Sequence, residues 1–451
     1  MSRRPDDFAV PFVQPHRPPP RAVPAPPSAP WLFASWMAAG TTIAVLAGTL
    51  LGLLAAIEAG PGLSRWSQTV QAHGALQLTG WVAVFVTALA MEFVIRLNGR
   101  PPLPLPVRAA VPALLAVGAL LRGAGQFWHE DVWWLFTAGS VLIVAGAAGF
   151  FAAILSIRPQ QPLRYNIQPA WFWASATWLL LASVLALVAG LRATAGVLPL
   201  ADSYVVTELM LRGFVFHAIV SVAMRAFPGH LGTPPVDDRR QALLLGMAGL
   251  SIVALVAGAP AFGLPGIELL ARAGDLLFAA TVGTLIVFTG ILHPRNVGRE
   301  PVYRLLIPVA FLGAAAYAVA VAILALLPGD PTLYQTGAAR HIFMLGFMAP
   351  LMVGMSHIVL ARFLRGHVDG ANWLTVAFGM LLVAWPLRVL PALFTDSPAA
   401  GSDPLFSTAA GLVIGGLLLV AVVAGANALA TLQALRRAVL RHPGAVPERH
   451  H

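Results

Sequence analysis

Cysteine is missing from the sequence, lysine is missing too, and charged residues of any kind make up only 10% of it. The first absence removes disulfides, thiolate metal sites and covalent c-type haem attachment, so any metal must be held by histidine, methionine or carboxylate. The second means that the formal charge of +10 is carried by arginine alone. Scarce charge, 58% hydrophobic residues and a mean hydropathy of +0.79 exclude a soluble domain and indicate an all-α polytopic membrane protein, with the lipid bilayer as its first partner. The basic excess does not point to nucleic acid, because the arginines sit in short loops between apolar runs, where they set orientation.

What is present is a series of apolar runs. They are expected near 31–57, 73–97, 107–122, 132–157, 170–191, 205–226, 241–261, 273–293, 303–327, 341–363, 372–394 and 407–434, and the third is short for a bilayer. Before them, residues 1–30 form a Pro/Arg-rich tail with Arg3, Arg4, Arg17, Arg21 and His16 but no signal-peptide pattern. The twelve-helix domain is expected over 31–438 and a short C-terminal tail over 439–451. Arginines mark alternate loops: Arg96/Arg100/Arg108, Arg158/Arg164, Arg225/Arg239/Arg240, Arg295/Arg299/Arg304, Arg362/Arg365 and Arg436/Arg437/Arg441. The intervening loops are acidic or sparse, with Glu58, Glu130/Asp131, Asp202, Glu268/Asp275, Asp330 and Asp396/Asp403. That alternation is expected to put both termini of a multi-pass protein in the cytoplasm.

Spans 2, 6 and 10 carry the polar groups, four spans apart: His73, Gln77, Glu92 and Arg96; Glu208, Arg212 and His217; His341 and His357. Four helices repeated three times would bring these spans to equivalent places around one centre. A faint echo, Glu208-x4-Gly213-Phe214 against His341-x4-Gly346-Phe347, agrees with this. On these boundaries His73 and His341 both stand at the mouths of spans, on the outer face. Neutral imidazoles on two helices can clamp a haem from opposite sides, and Gly74 and Gly346 would let a flat macrocycle approach. The plainer alternative is that each histidine only hydrogen-bonds at the membrane surface.

His357 lies about 24 Å along the helix from His341, too far to share a metal. It would serve a second, inner site with His217 or Glu92, or be an interior histidine bonded to a carbonyl. Glu208 and Arg212 form either an internal ion pair or, with Arg340 and Arg388, a set of arginines for a ligand's carboxylates. Glu92 and Arg96 look like a structural pair. Met344, Met348, Met352 and Met355 form a stripe that is either packing or a soft site for copper(I). No span holds adjacent histidines, and span 6 has no His-x3-Tyr, so the three-histidine copper centre of an oxygen reductase is not written here.

Several blocks resemble the NnrS family of haem- and copper-containing membrane proteins linked to nitric oxide metabolism and nitrosative-stress resistance. They are Ala72-His73, Asn98-Gly99-Arg100-Pro101-Pro102-Leu103, Arg340-His341-x4-Gly346, Gly366-His367 and Trp385-Pro386-Leu387-Arg388-Val389. Gly74 departs from that family's pattern, which commonly has glutamate there. More distantly, twelve helices with histidines on the second and tenth are similar to the haem-copper oxidase catalytic subunit (subunit I). The resemblance implies a haem-copper-oxidase-subunit-I-like bundle, haem b on His73 and His341, copper as a possible second cofactor, and nitric oxide or another small redox ligand. Arg212, Arg340 and Arg388 would then face the haem, and His217 and His357 would be further metal-ligand candidates. Two other classes stay open: a proton-coupled secondary transporter using Glu208, Arg212 and His217, and a non-catalytic membrane subunit of a respiratory complex.

Overall fold

The computed structural model describes residues 30–57, 65–97, 102–157, 166–193, 196–259, 268–293, 302–329, 331–363, 369–394 and 404–441. The N-terminal tail before Pro30, nearly all of the C-terminal tail, His16, His367, His442, His450 and His451 lie outside these residues. So do the loop arginines Arg100, Arg158, Arg164, Arg295, Arg299 and Arg365, and the side chains of Arg96 and His357.

Twelve helices are long and apolar enough to cross a bilayer. They are α1 (Trp31–Ala55), α2 (Trp66–Glu92), α3 (Leu105–Phe127), α4 (His129–Ser156), α5 (Gln168–Leu191) and α6 (Leu200–Leu231), followed by α7 (Asp238–Ala257), α8 (Glu268–Thr289), α9 (Leu305–Leu326), α10 (Leu333–Ser356), α11 (Ala371–Pro391) and α12 (Ser407–Ala434). The fold is thus the expected all-α, twelve-helix membrane bundle. Many large apolar side chains, such as Leu250, Leu269, Val287 and Val422, point outward. Lipid tails are their solvent, and helices satisfy their own backbone groups there.

Three boundaries differ from the hydropathy reading. The third span runs over 23 residues and is not short. α2 begins at Trp66, and α10 begins at Leu333, after a capping box in which Thr332 and Gln335 satisfy each other's backbone N–H groups. The opening turns carry Gln68, Gln71, Tyr334 and Gln335, which lower the hydropathy although the helix continues through them. His73 and His341 therefore do not open their helices. Each lies about two turns in, about 10–12 Å along the axis, at matching depth.

α2, α6 and α10 form the centre. Their apolar windows are 89%, 83% and 83% buried, against 28–44% for the other nine helices. Around them the arcs α3–α4–α5, α7–α8–α9 and α11–α12–α1 pack in chain order, α12 closing against α1. Each central helix widens into a π-helical segment: Leu76–Ala83, Leu209–Val215 and Ile342–Met348. Each segment contains a glycine–aromatic pair, Gly80-Trp81, Gly213-Phe214 and Gly346-Phe347, and the positions 80, 213 and 346 are equally spaced along the chain. The echo between spans 6 and 10 thus extends to span 2, and Glu208 stands in α6 at the place His341 holds in α10. A fourth π-helical segment, Ala44–Thr49, lies in α1 against α2.

Candidate functional site

His73 and His341 face one another across a cavity of about 330 Å³ at the end of the bundle where the even-numbered helices begin. That is within the usual size of a small-molecule site. The two imidazole planes lie 11° apart with centroids 6.3 Å apart. Two imidazoles bound in line to a single metal at ~2.0–2.1 Å per bond would hold their ring centres at about this separation.

The second ring nitrogen of each histidine is tied to the backbone. His73 Nδ1 lies 2.7 Å from the Gly48 carbonyl oxygen and His341 Nδ1 lies 2.7 Å from that of Gly337. A carbonyl only accepts, so each Nδ1 carries the proton and donates it. The lone pair is left on Nε2, which meets no hydrogen-bonding partner among the described residues. This is the tautomer and outer bond that a metal-ligating histidine requires.

The wide turn of α1 makes this possible. It turns the Ala44 and Gly48 carbonyls toward α2, where Gln77 and His73 reach them. Gly52 lies beside the imidazole, and a Cβ there would come within 2.7 Å of His73 Cε1 and Nδ1. Gly74 faces open space, with no atom within 4 Å of an added Cβ, and lines the cavity. Gly346 differs from the sequence expectation. It packs against Gly313 of α9 and Trp385 of α11, so its lack of a side chain serves a helix crossing rather than a macrocycle.

Three arginines line the cavity, Arg122 of α3, Arg340 of α10 and Arg388 of α11, and no carboxylate does so among the described residues. Buried Arg122 lies over the Phe136 ring and its Nε has no partner; Arg340 Nη2 is buried and likewise unpartnered. Such cations are costly to bury, and they suit a ligand that brings acidic groups. Gln71 helps to hold the rim, accepting from Gln126 Nε2 and Leu198 N and donating to the Leu198 carbonyl.

Arg212 does not line the cavity. Its guanidinium is buried and bridges Glu208 at 2.8 Å and Asp275 at 2.5 Å, and its Nε donates to the Tyr317 hydroxyl at 3.0 Å. The structure therefore realises the ion-pair alternative for Glu208 and Arg212, enlarged by two groups on α8 and α9. Asp275, which the sequence places in a loop, lies two turns inside α8. Arg340 donates from Nε to Glu208 Oε1 at 3.2 Å and so joins this cluster to the cavity wall.

Below the cluster, the rings of Phe216, Phe278, Tyr317, Phe343, Phe347 and Phe311 fill the space between α6 and α10, with neighbouring centroids 5.0–5.9 Å apart.

His217 is fully buried on α6 outside the cavity. It donates from Nδ1 to the Arg212 carbonyl at 3.0 Å and is flanked by Trp171 and Trp178. No cluster of three histidine, aspartate or glutamate side chains occurs among the described residues. Glu92 meets Arg108 of α3, buried on both sides; the side chain of Arg96, with which it was expected to pair, lies outside the described residues.

Sequence reasoning missed Arg122, Asp275, Tyr317 and Gly52. Arg122 carried a signal, since a lone arginine inside an apolar run marks an intramembrane site. The other three gain their meaning only across helices.

No protein-family model and no curated protein sequence matches the chain. Among solved structures it is similar to a chain of a haem-copper terminal oxidase dimer determined by cryo-electron microscopy, at 14% identity and a TM-score of 0.53. The match covers 90% of this chain and 84% of that one. This likeness concerns the fold: the protein is an integral membrane protein with the helix arrangement of a haem-copper oxidase subunit.

Proposed function

We propose that the protein binds haem b between His73 and His341, near the outer face of a bacterial cytoplasmic membrane, with both termini in the cytoplasm. The observation that carries this reading is the near-parallel imidazole pair at 6.3 Å, each ring fixed by a backbone carbonyl through Nδ1. Two further features support it: the open space at Gly74 and the three cavity arginines, two with unpartnered nitrogens. Arg122, Arg340 and Arg388 would receive the haem's two carboxylates, bidentately where geometry allows. Haem, when bound, would supply a one-electron iron couple tuned by its axial ligands and surroundings. Following the NnrS resemblance and the oxidase-like fold, the role is in nitric oxide metabolism and nitrosative-stress resistance, or in passing electrons to a small redox ligand. Copper(I), as a second cofactor, would be held by the thioethers of the Met344, Met348, Met352 and Met355 stripe.

The test is an optical spectrum of the purified protein, air-oxidised and then dithionite-reduced. Sharp reduced α and β bands are expected in the unmodified protein and are expected to vanish in the His341→Ala variant. A full haem complement in that variant would sink the assignment. The Glu208–Arg212–Asp275 cluster favours a second reading, a proton-coupled carrier. Under it the purified protein is colourless and the Glu208→Gln variant loses substrate uptake.

A further inference from the structure

One helical turn beyond the histidine cavity, α2, α6 and α10 line a second, smaller space. The upper cavity is lined by Trp81, Leu211 and Met344, and the lower one begins at Phe85, Val215 and Met348, four residues further along each helix. The lower cavity measures about 50 Å³, several times the ~10–15 Å³ that a single water needs. Every residue that lines it is apolar. A water held there would find none of the two to four polar partners that retain it, so the space is dry. Most of the lining is buried, and Ile219 and Val222 on α6 are half-buried.

We propose that this lower cavity is a binding site for a small apolar gas of diatomic size, standing between the bilayer and the histidine cavity. Three properties converge on that ligand class. The volume is on the scale of a diatomic molecule or a single large atom. The lining rejects ions and water. The Met348, Met352 and Met355 side chains give a polarisable, adaptable wall. Diatomic gases concentrate in lipid, so a dry space inside a bilayer bundle is filled from the membrane side without a polar barrier. The inference does not require haem in the upper cavity.

Xenon is the probe. Crystals of the full chain pressurised with xenon are expected to show an anomalous peak between Phe85, Val215 and Met352. The variants Ala223→Leu and Val222→Phe fill the space from α6 and are each expected to abolish that peak with the thermal transition unchanged. Absence of the peak from the unmodified protein overturns the proposal, as does its persistence in both variants. Density for an acyl chain in the space also overturns it, as does stoichiometric copper(I) on the thioethers lost in Met352→Leu.

Discussion

At the scale of single residues, the cavity is governed by what stands behind each imidazole rather than by the imidazole alone. Gly52 leaves the volume into which the His73 ring fits. The Gly52→Val variant would force the ring or α1 aside, at ~1–3 kcal/mol for overpacking a close-packed contact. Helix content by circular dichroism should survive this change while haem stoichiometry falls. A variant with full haem and unshifted bands would mean that the contact does not position the ring. Arg212 is the second such residue. Replacing it with leucine takes the guanidinium from between the Glu208 and Asp275 carboxylates and leaves Glu208 to Arg340, a loss of about 3–5 kcal/mol. A lowered thermal transition, partly recovered when Glu208 and Asp275 are also made neutral, is the expected result. Equal stability of the single and triple variants would count against an ion-pair role. The pairing of Glu208 with Arg212 was legible in the sequence, because they lie four apart on one helical face. Asp275 and Tyr317 were not, because nothing local to α8 or α9 announces a partner on α6.

Elements pack here by two devices, glycine crossings and widened turns. α9 and α10 meet where Gly313 lies against the Gly346 backbone, and a Cβ on Gly313 would collide with the Gly346 carbonyl group. Backbone has no rotamer with which to escape. Gly313→Val should therefore separate the two helices and collapse the yield of folded protein in detergent, whereas Gly283→Val, at an open position on α8, should be tolerated. Similar size-exclusion profiles for the two would refute the crossing argument. The widened turns of α1, α2, α6 and α10 aim side chains and carbonyls sideways, out of regular helical register. On α1 this brings the Gly48 carbonyl to His73, and on α6 it leaves the Arg212 carbonyl for His217. A hydropathy profile registers none of this, since a π-helical turn and an α-helical turn of the same composition have the same hydropathy.

The whole molecule is three four-helix units around α2, α6 and α10, with one interface hollow and another filled by aromatic rings. Loop arginines on alternate sides are the ground for expecting cytoplasmic termini, and that expectation is directly measurable. A fluorescent protein fused after Arg441 should be bright in bacterial cells. A periplasmic reporter enzyme inserted between α11 and α12 should be active. The reverse pattern would turn the histidine cavity toward the cytoplasm and end the reading of an outward-facing site.

The sequence by itself determined the membrane class, the number of spans, the matching direction of α2, α6 and α10, and the pairing of His73 with His341 as candidates. Each of these follows from apolar length, from direction, or from the cost of keeping an ionisable group in a bilayer, and all of these can be read along one chain. The tertiary structure alone decided that the imidazoles lie 6.3 Å apart, that Arg122 joins Arg340 and Arg388 around them, that Arg212 is turned away into a carboxylate cluster, and that Gly346 serves a helix crossing. These depend on which helices touch and at what height. A fully apolar helix can rotate or slide against its neighbours without changing its hydropathy, so contact and height are fixed only by packing.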